Sequence, residues 1–151
     1  MDGELNVVHA TAIALGGRAA LIRGPSGAGK SDLALRCLTM TPSALIALPV
    51  LLVADDQVRL ERIGHELRAS APAQILGKLE VRGLGIVAVP TAPEARIALV
   101  VDLVLSAEIE RLPSRRTATI LGVEVPVLEL APFESSAPAK LLLALAPEFG
   151  R

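Results

Sequence analysis

Short apolar runs separated by glycine- or proline-containing breaks recur along the chain, a pattern typical of strands joined by turns. Residues 5–15 predict one strand and Arg18–Arg23 a second, with Gly16-Gly17 as the turn of a hairpin between them. The uninterrupted apolar run Val50–Ala54 is typical of a strand buried on both faces. The pattern therefore predicts a sheet at the centre of the fold.

The rest of the chain continues this pattern, with further strands predicted at residues 58–63, 66–71, 86–89, 95–105 and 123–130. Residues 79–85 contain two glycines and are expected to be irregular. Residues 42–49 fit either a loop or a short helix, and residues 73–78 fit a short helical segment. Strands therefore outnumber helices in the expected fold.

Two main helices are predicted. The first begins near Lys30 and ends before Pro42, because a proline disfavours helical geometry in the residue that precedes it. The second follows Ser135-Ser136, which can cap it, and has Pro138 in its first turn. Its buried face is expected to consist of Leu141, Leu142 and Leu145.

Composition indicates what fills the core. The 151 residues have the length of one domain. Apolar residues make up 52% of the chain, but only Phe133 and Phe149 are aromatic. The core must therefore consist of Ala, Leu, Val and Ile, which suits a sheet covered on both faces. We expect a single α/β domain spanning residues 1–151.

Charge and cysteine content exclude several classes of protein. The net charge of −1 does not indicate a basic surface for binding nucleic acid or an anionic membrane. The longest apolar stretch, residues 44–54, is interrupted by Pro49 and is shorter than the about 20 residues that span a bilayer. Asp2 and Glu4 replace the basic start of a secretory signal, and the single Cys37 cannot form an internal disulfide. We therefore expect a cytoplasmic protein, with Cys37 as a small core residue.

The strongest chemical signal is a run that matches the phosphate-loop pattern G-x-x-x-x-G-K-[ST] without a mismatch. A predicted strand precedes this run and a predicted helix follows it, which is the context of a true phosphate loop. The alternative interpretation is a glycine-rich turn that binds nothing. In a phosphate loop, backbone amides surround phosphate oxygens, Lys30 reaches the β and γ phosphates, and Ser31 can hold Mg²⁺. The candidate phosphate-binding residues are Gly24, Pro25, Ser26, Gly27, Ala28, Gly29, Lys30 and Ser31.

A second element of such a site is a carboxylate at the end of a buried strand, where it helps to place Mg²⁺. Asp55 and Asp56 directly follow Val50–Ala54, and two adjacent carboxylates point in different directions. One could contact the metal or its waters while the other accepts a proton from an attacking hydroxyl. Asp102 is a rival candidate, and a turn or helix cap is the alternative role for the pair.

Four further segments occur in order around this loop: His9, residues 52–56 (Leu-Val-Ala-Asp-Asp), residues 80–87 (Glu-Val-Arg-Gly-Leu-Gly-Ile-Val) and residues 110–112 (Glu-Arg-Leu). Together with the loop they resemble motifs of the catalytic domain of bacterial HPr kinase/phosphorylase, a family that phosphorylates a serine of the phosphocarrier protein HPr. The likeness extends from His9 to about residue 130, and the Glu-x-Arg-Gly-Leu-Gly-Ile run is its most specific part.

The resemblance implies a P-loop α/β fold of the HPr-kinase/phosphoenolpyruvate-carboxykinase type, with a mixed, largely buried sheet. It implies ATP and Mg²⁺ as cofactors, HPr as partner and a homo-oligomer of unspecified stoichiometry. In the metal site it places Ser31 and Glu80 as Mg²⁺ ligands. The catalytic roles that it implies are phosphate neutralisation by Lys30, proton acceptance by Asp56 with support from Asp55, and completion of the site by His9, Arg82 and Arg111.

The chain also departs from the family. Members carry an additional N-terminal domain, so we interpret this chain as a short form. Residues 132–136 lack the Pro-x-x-Pro-Gly-Arg-like loop that the family uses for phosphorolysis, so the kinase direction is expected and the reverse reaction is not. Phe133 and Phe149 lie far along the chain from the loop, so no aromatic clamp for adenine is expected. A P-loop small-molecule kinase and a nucleotide-sensing regulator without catalysis are alternative functions.

Overall fold

A computed structural model describes residues 4–40 and 42–146. Its strands are β1 (Glu4–Val8), β2 (Thr11–Leu15), β3 (Arg18–Arg23), β4 (Val50–Ala54), β5 (Val58–Ile63), β6 (Glu66–Ser70), β7 (Lys78–Val81), β8 (Gly85–Ala88), β9 (Glu94–Leu103), β10 (Arg116–Ile120) and β11 (Val123–Leu130). The α-helices are α1 (Lys30–Leu38) and α2 (Ala137–Leu145), with 3₁₀ turns at Ala73–Ile75 and Ser106–Glu108. Neither α-helix of this described part is long and apolar enough to cross a membrane.

Most of the strands form one mixed sheet in the order β1-β5-β6-β9-β3-β2-β4. The long strand β9 also pairs in parallel with β11, and β11 carries β10 at its far edge. Because β3 pairs in parallel with β9 as well, the carboxyl ends of β3, β9 and β11 point the same way. The hairpin of β7 and β8 forms a separate two-stranded sheet.

Both faces of the central strands are buried. In β2, Ile13 and Leu15 join an apolar cluster with α1 and α2, whereas Ala12 and Ala14 face a second cluster that contains residues of β5 and β6. Side chains of a strand alternate between the two faces, so the same strand contributes to both clusters. Two helices therefore cover one face, and the curled sheet itself encloses the other. This agrees with the α/β fold expected from the composition.

The prediction of a single strand over residues 5–15 is wrong. β1 lies at the edge of the sheet and pairs with β5, whereas β2 is central and pairs with β3 and β4. The extended segment is interrupted at His9, between β1 and β2. The strands that pair with them, β5 and β4, are interrupted at the same level, at Asp56. Hydrophobicity alone did not show this break, because it depends on which strands pair.

Two further differences concern polar strands. Residues 78–81, expected to be irregular from 79 onward, form β7, whose partner β8 supplies the ladder of backbone hydrogen bonds. Arg116–Ile120 was not predicted as a strand; it is largely exposed and is stabilised by pairing with β11.

Ser136 occupies the cap position of α2, but its side chain makes no capping hydrogen bond. Residues 42–49, for which a loop and a short helix were both open, contain neither helix nor strand and form a loop.

The other predicted elements are confirmed. The hairpin of β2 and β3 has the expected turn, and α1 ends at Leu38, before Pro42. The leucines at positions 141, 142 and 145 are fully buried against α1 and the sheet.

Cys37 is expected to resist thiol reagents in the native protein. Its side chain is fully buried, and this burial raises the pKa of the thiol to about 12. At pH 8 the reactive thiolate is then about 1000-fold scarcer than in a free cysteine. Labelling with a disulfide reagent should detect no thiol in the native protein and one in urea; rapid native labelling would contradict the burial.

Candidate active site at the phosphate loop

Residues 24–29 connect the end of β3 to the start of α1 and curl around the amino group of Lys30. The Lys30 side chain is buried, and its Nζ donates hydrogen bonds to the carbonyl oxygens of Gly24 (2.7 Å) and Pro25 (2.9 Å). Gly27 and Gly29 have φ angles of 81° and 100°, which a side chain would disfavour. The first amides of α1 have no partner within the helix. The loop thus combines a cation with donors suited to phosphate oxygens.

Gly29→Ala should destabilise the protein by about 1–3 kcal/mol, because strained backbone positions cost that much. Besides its φ angle of 100°, a Cβ at this position would lie 2.9 Å from Cζ of Phe133. Gly17→Ala is the matched control, since nothing lies within 4 Å of a Cβ there. Urea unfolding measures both variants, and equal stability for the two would contradict the loop geometry.

Asp55 connects the phosphate loop to the sheet. It follows β4, is 6% exposed and accepts three hydrogen bonds. Its Oδ1 accepts from Ser31 Oγ (2.6 Å) and Thr11 Oγ1 (3.1 Å), and its Oδ2 accepts from the backbone N–H of Glu80 (3.1 Å). The structure therefore brings Asp55 into direct contact with the hydroxyl that the sequence assigned to Mg²⁺.

Asp56 points away from its neighbour. Its φ angle of 70° lies in the left-handed region, which turns the chain sharply between β4 and β5. Asp56 Oδ1 lies 2.6 Å from His9 Nε2, and both side chains are about half exposed or more. The two meet because their strand pairs break at the same level, and the N–H of Asp56 donates to Thr11 Oγ1 (3.3 Å). One buried and one accessible carboxylate thus lie side by side.

The remaining predicted site residues lie farther out. The Glu80 backbone contacts Asp55, while the residue itself is exposed. Arg82 is exposed in the turn between β7 and β8. Arg111 lines a separate cavity of about 570 Å³ with Leu128 and Leu143. Within the described ranges, neither arginine forms a hydrogen bond or ion pair with the loop or the two aspartates.

Asp102, the rival candidate, pairs with Arg23 at the end of β3. Its carboxylate accepts two hydrogen bonds from the Arg23 guanidinium, at 2.8 Å and 3.0 Å. The hydrogen bond with Asp102 raises the pKa of Arg23. Arg23 and Asp102 are register partners on β3 and β9, so this ion pair lies at the end of the strand that leads into the phosphate loop.

Sequence reasoning missed two residues of the site. Thr11 is fully buried and hydrogen bonds with both neighbouring aspartates; its signal was a polar side chain within a largely apolar predicted strand. Phe133 lies against Gly29, although no aromatic residue was expected near the loop. No local sequence signal indicated Phe133, because its position depends on the packing of α1 against the chain after β11.

The residues present fit Mg²⁺, which prefers oxygen ligands and usually keeps several waters beside one or two protein ligands. The Ser31 hydroxyl and the Asp55 carboxylate supply such oxygens in contact with each other. In the described part of the chain, no three His, Cys, Asp or Glu side chains form a metal-binding group. The two protein oxygens of Ser31 and Asp55 fit an ion whose remaining ligands would be waters and phosphate oxygens.

Comparison with known proteins identifies the family. The family model described as the HPr Serine kinase C-terminal domain matches residues 3–149. The HPr kinase/phosphorylase of Alkaliphilus metalliredigens is 36% identical over 119 residues, which cover 78% of this chain and 36% of that protein. That of Geobacillus thermodenitrificans is 36% identical over 135 residues, covering 82% and 41%. The chain therefore spans about two fifths or less of the length of these relatives.

A solved structure, that of the Hpr(Ser) kinase/phosphatase from Coxiella burnetii, superposes with a TM-score of 0.76 at 24% identity and covers 91% of each chain. This confirms the expected fold, a P-loop α/β fold with a mixed, largely buried sheet of the HPr-kinase/phosphoenolpyruvate-carboxykinase type. With the sequence matches, it shows that the chain belongs to the HPr kinase C-terminal domain family.

Proposed function

We propose that residues 1–151 form the catalytic domain of an ATP- and Mg²⁺-dependent kinase that phosphorylates a serine of HPr. The observation that carries this proposal is the hydrogen bond between Ser31 of the phosphate loop and Asp55. Asp56 follows Asp55 in the chain, so this contact supports a site in which the accessible pair of Asp56 and His9 lies beside the residues proposed to hold the nucleotide. Phosphoryl transfer needs this combination of a phosphate cradle and a nearby proton acceptor.

In the proposed mechanism the loop holds the terminal phosphates. Negative charge spreads over the phosphoryl oxygens during transfer, and preorganised cationic donors stabilise it. Lys30 supplies such a donor: hydrogen bonds to the carbonyl oxygens of Gly24 and Pro25 hold its Nζ in the loop, and the third N–H of the ammonium is left for a phosphate oxygen. Ser31 and Glu80, together with Asp55, are the residues that would hold Mg²⁺, and the ion would supply positive charge that neutralises the β and γ phosphates.

Asp56 is the proposed proton acceptor for the serine hydroxyl. When His9 Nε2 carries the proton, His9 donates a hydrogen bond to Oδ1 of Asp56 and fixes the carboxylate. Oδ2 of Asp56 has no partner among the described residues, so it is available to the incoming hydroxyl. Asp55 cannot take this role as readily, because both of its oxygens already accept hydrogen bonds. Asp56 thus has the accessibility that a general base requires.

HPr is the proposed acceptor because the matching relatives are HPr kinase/phosphorylases. The forward direction is proposed because residues 132–136 lack the loop that the family uses for phosphorolysis. Arg82 and Arg111 are proposed to act when the acceptor protein is bound, since both are exposed. The proposed setting is the cytoplasm, and a homo-oligomer remains part of the proposal.

Incubation with ATP, Mg²⁺ and HPr tests this function by intact mass. We expect HPr to gain one phosphoryl group and HPr with its acceptor serine replaced by alanine to gain none. Phosphorylation of a small molecule but not of HPr would overturn the acceptor assignment. Nucleotide binding without transfer to either would overturn the assignment as a kinase and indicate a sensor.

A further inference from the structure

A cavity of about 640 Å³ opens beside the phosphate loop. Pro25 and Ala28 of the loop line it, together with residues 103–106 at the end of β9 and residues 131–134 after β11. The cavity is therefore continuous with the loop that holds Lys30. Its volume lies within the range of small-molecule binding sites.

The order of the strands indicates which part of a nucleotide would enter this cavity. β4, which Asp55 directly follows, lies on one side of β3, whereas β9 and β11 lie on the other. The parallel strands β3, β9 and β11 share a carboxyl edge, the place where open α/β sheets bind nucleotides. With the terminal phosphate directed toward Asp55 and Asp56, the nucleoside extends toward the cavity.

The charges of the lining agree with this orientation. The cavity is mostly apolar; its ionisable side chains are Glu108 and Glu134, and no lysine or arginine of the described ranges lines it. Hydrogen bonds from Lys140 and Ser106 hold the pKa of Glu134 below its ordinary value, so this carboxylate stays charged. Because the Lys140 ammonium pairs with Glu134 at 3.0 Å, the described part of the lining offers no unpaired cation to another phosphate or an acidic peptide. It suits an uncharged ring whose amino and hydroxyl groups donate hydrogen bonds.

Phe133 provides the flat surface that a ring would need. Its side chain is 72% exposed, while one edge of the ring lies against Gly29. The segment is anchored on both sides, because the Arg36 guanidinium donates hydrogen bonds to the carbonyl oxygens of Pro132 and Glu134. Phe133 is therefore held in place by α1 and still accessible to a ligand.

We propose that this cavity binds the base and ribose of the nucleotide, with the base stacked on Phe133. This inference rests on the proposed function, since it requires the loop to bind a nucleoside triphosphate. It differs from the expectation, based on distance along the sequence, that no aromatic clamp for adenine is present. Arg36 holds the chain on either side of Phe133 through its hydrogen bonds to the carbonyl oxygens of Pro132 and Glu134.

Calorimetric titration with Mg–ATP and with Mg–tripolyphosphate separates contacts to the base from contacts to the phosphates. For Phe133→Ala we expect ATP to bind about 10-fold more weakly or worse, in line with the loss of one base–aromatic stack. Tripolyphosphate should bind within about 2-fold of the wild-type affinity, because it has no base to stack. Phe133→Tyr should restore ATP binding, and Ile63→Ala, an exposed apolar residue at the far end of β5, is the control.

Two results would overturn the inference: equal weakening of ATP and tripolyphosphate by Phe133→Ala, or no weakening of either. Failure of the proposed kinase function can be distinguished from failure of this inference about the base. Wild-type protein that binds ATP with the expected dependence on Phe133 but does not phosphorylate HPr overturns only the kinase assignment. Wild-type protein that binds no ATP overturns both proposals.

Discussion

Asp56→Asn should reduce phosphoryl transfer to HPr by about 10²–10⁴-fold, the usual contribution of a general base. The amide keeps the size of the side chain but cannot accept the serine proton. Asparagine is the better test than alanine because residue 56 has a φ angle of 70°, which asparagine tolerates more readily. Nucleotide affinity should be nearly unchanged, since Asp56 makes no hydrogen bond to the phosphate loop in the described structure. Initial rates by intact mass and ATP titration give the two numbers.

Two companion variants make this result specific. Glu124→Gln removes an exposed carboxylate on β11 and should leave transfer unchanged. Asp55→Asn should instead lower both Mg–ATP affinity and stability, because it alters a buried acceptor of three hydrogen bonds. Transfer at the wild-type rate by Asp56→Asn would show that another group accepts the proton.

Lys30→Ala should lower transfer by at least about 10²–10³-fold, the effect of removing one preorganised donor from a site of developing charge. It should also weaken the binding of ATP and of tripolyphosphate alike, because Lys30 acts on phosphates and not on the base. Lys78→Ala, at an exposed position of β7, is the matched control. Transfer assays and titrations on both variants check this, and loss of ATP binding with full retention of tripolyphosphate binding would contradict the placement of Lys30.

The phosphate loop could be predicted because its chemistry is local. A glycine-rich turn between a strand and a helix specifies where Lys30 and Ser31 lie, and the apolar run before Asp55 places that carboxylate at a strand end. The α/β fold could be predicted equally well, since aliphatic strands buried on both faces are compatible with few other architectures. The resemblance to a known family added Arg82 and Arg111 as candidates, which local patterns would have left as surface charges and whose roles stay a prediction.

What could not be predicted depends on pairing between distant segments. The contact between His9 and Asp56 exists because two strand pairs break at the same level, which no single segment shows. The position of Phe133 depends on Arg36, a residue of α1 that binds the chain after β11. The strand at residues 78–81 forms only because β8 pairs with it. Each of these features is determined by tertiary partners rather than by local propensity.

The most direct test of this account is a crystal structure of the protein with Mg²⁺ and a non-hydrolysable ATP analogue. The account predicts that the terminal phosphate contacts Nζ of Lys30 and that the carboxylate of Asp56 faces it from the side open to an incoming serine. A terminal phosphate bound away from Lys30, or a carboxylate of Asp56 facing a different part of the molecule, would contradict it.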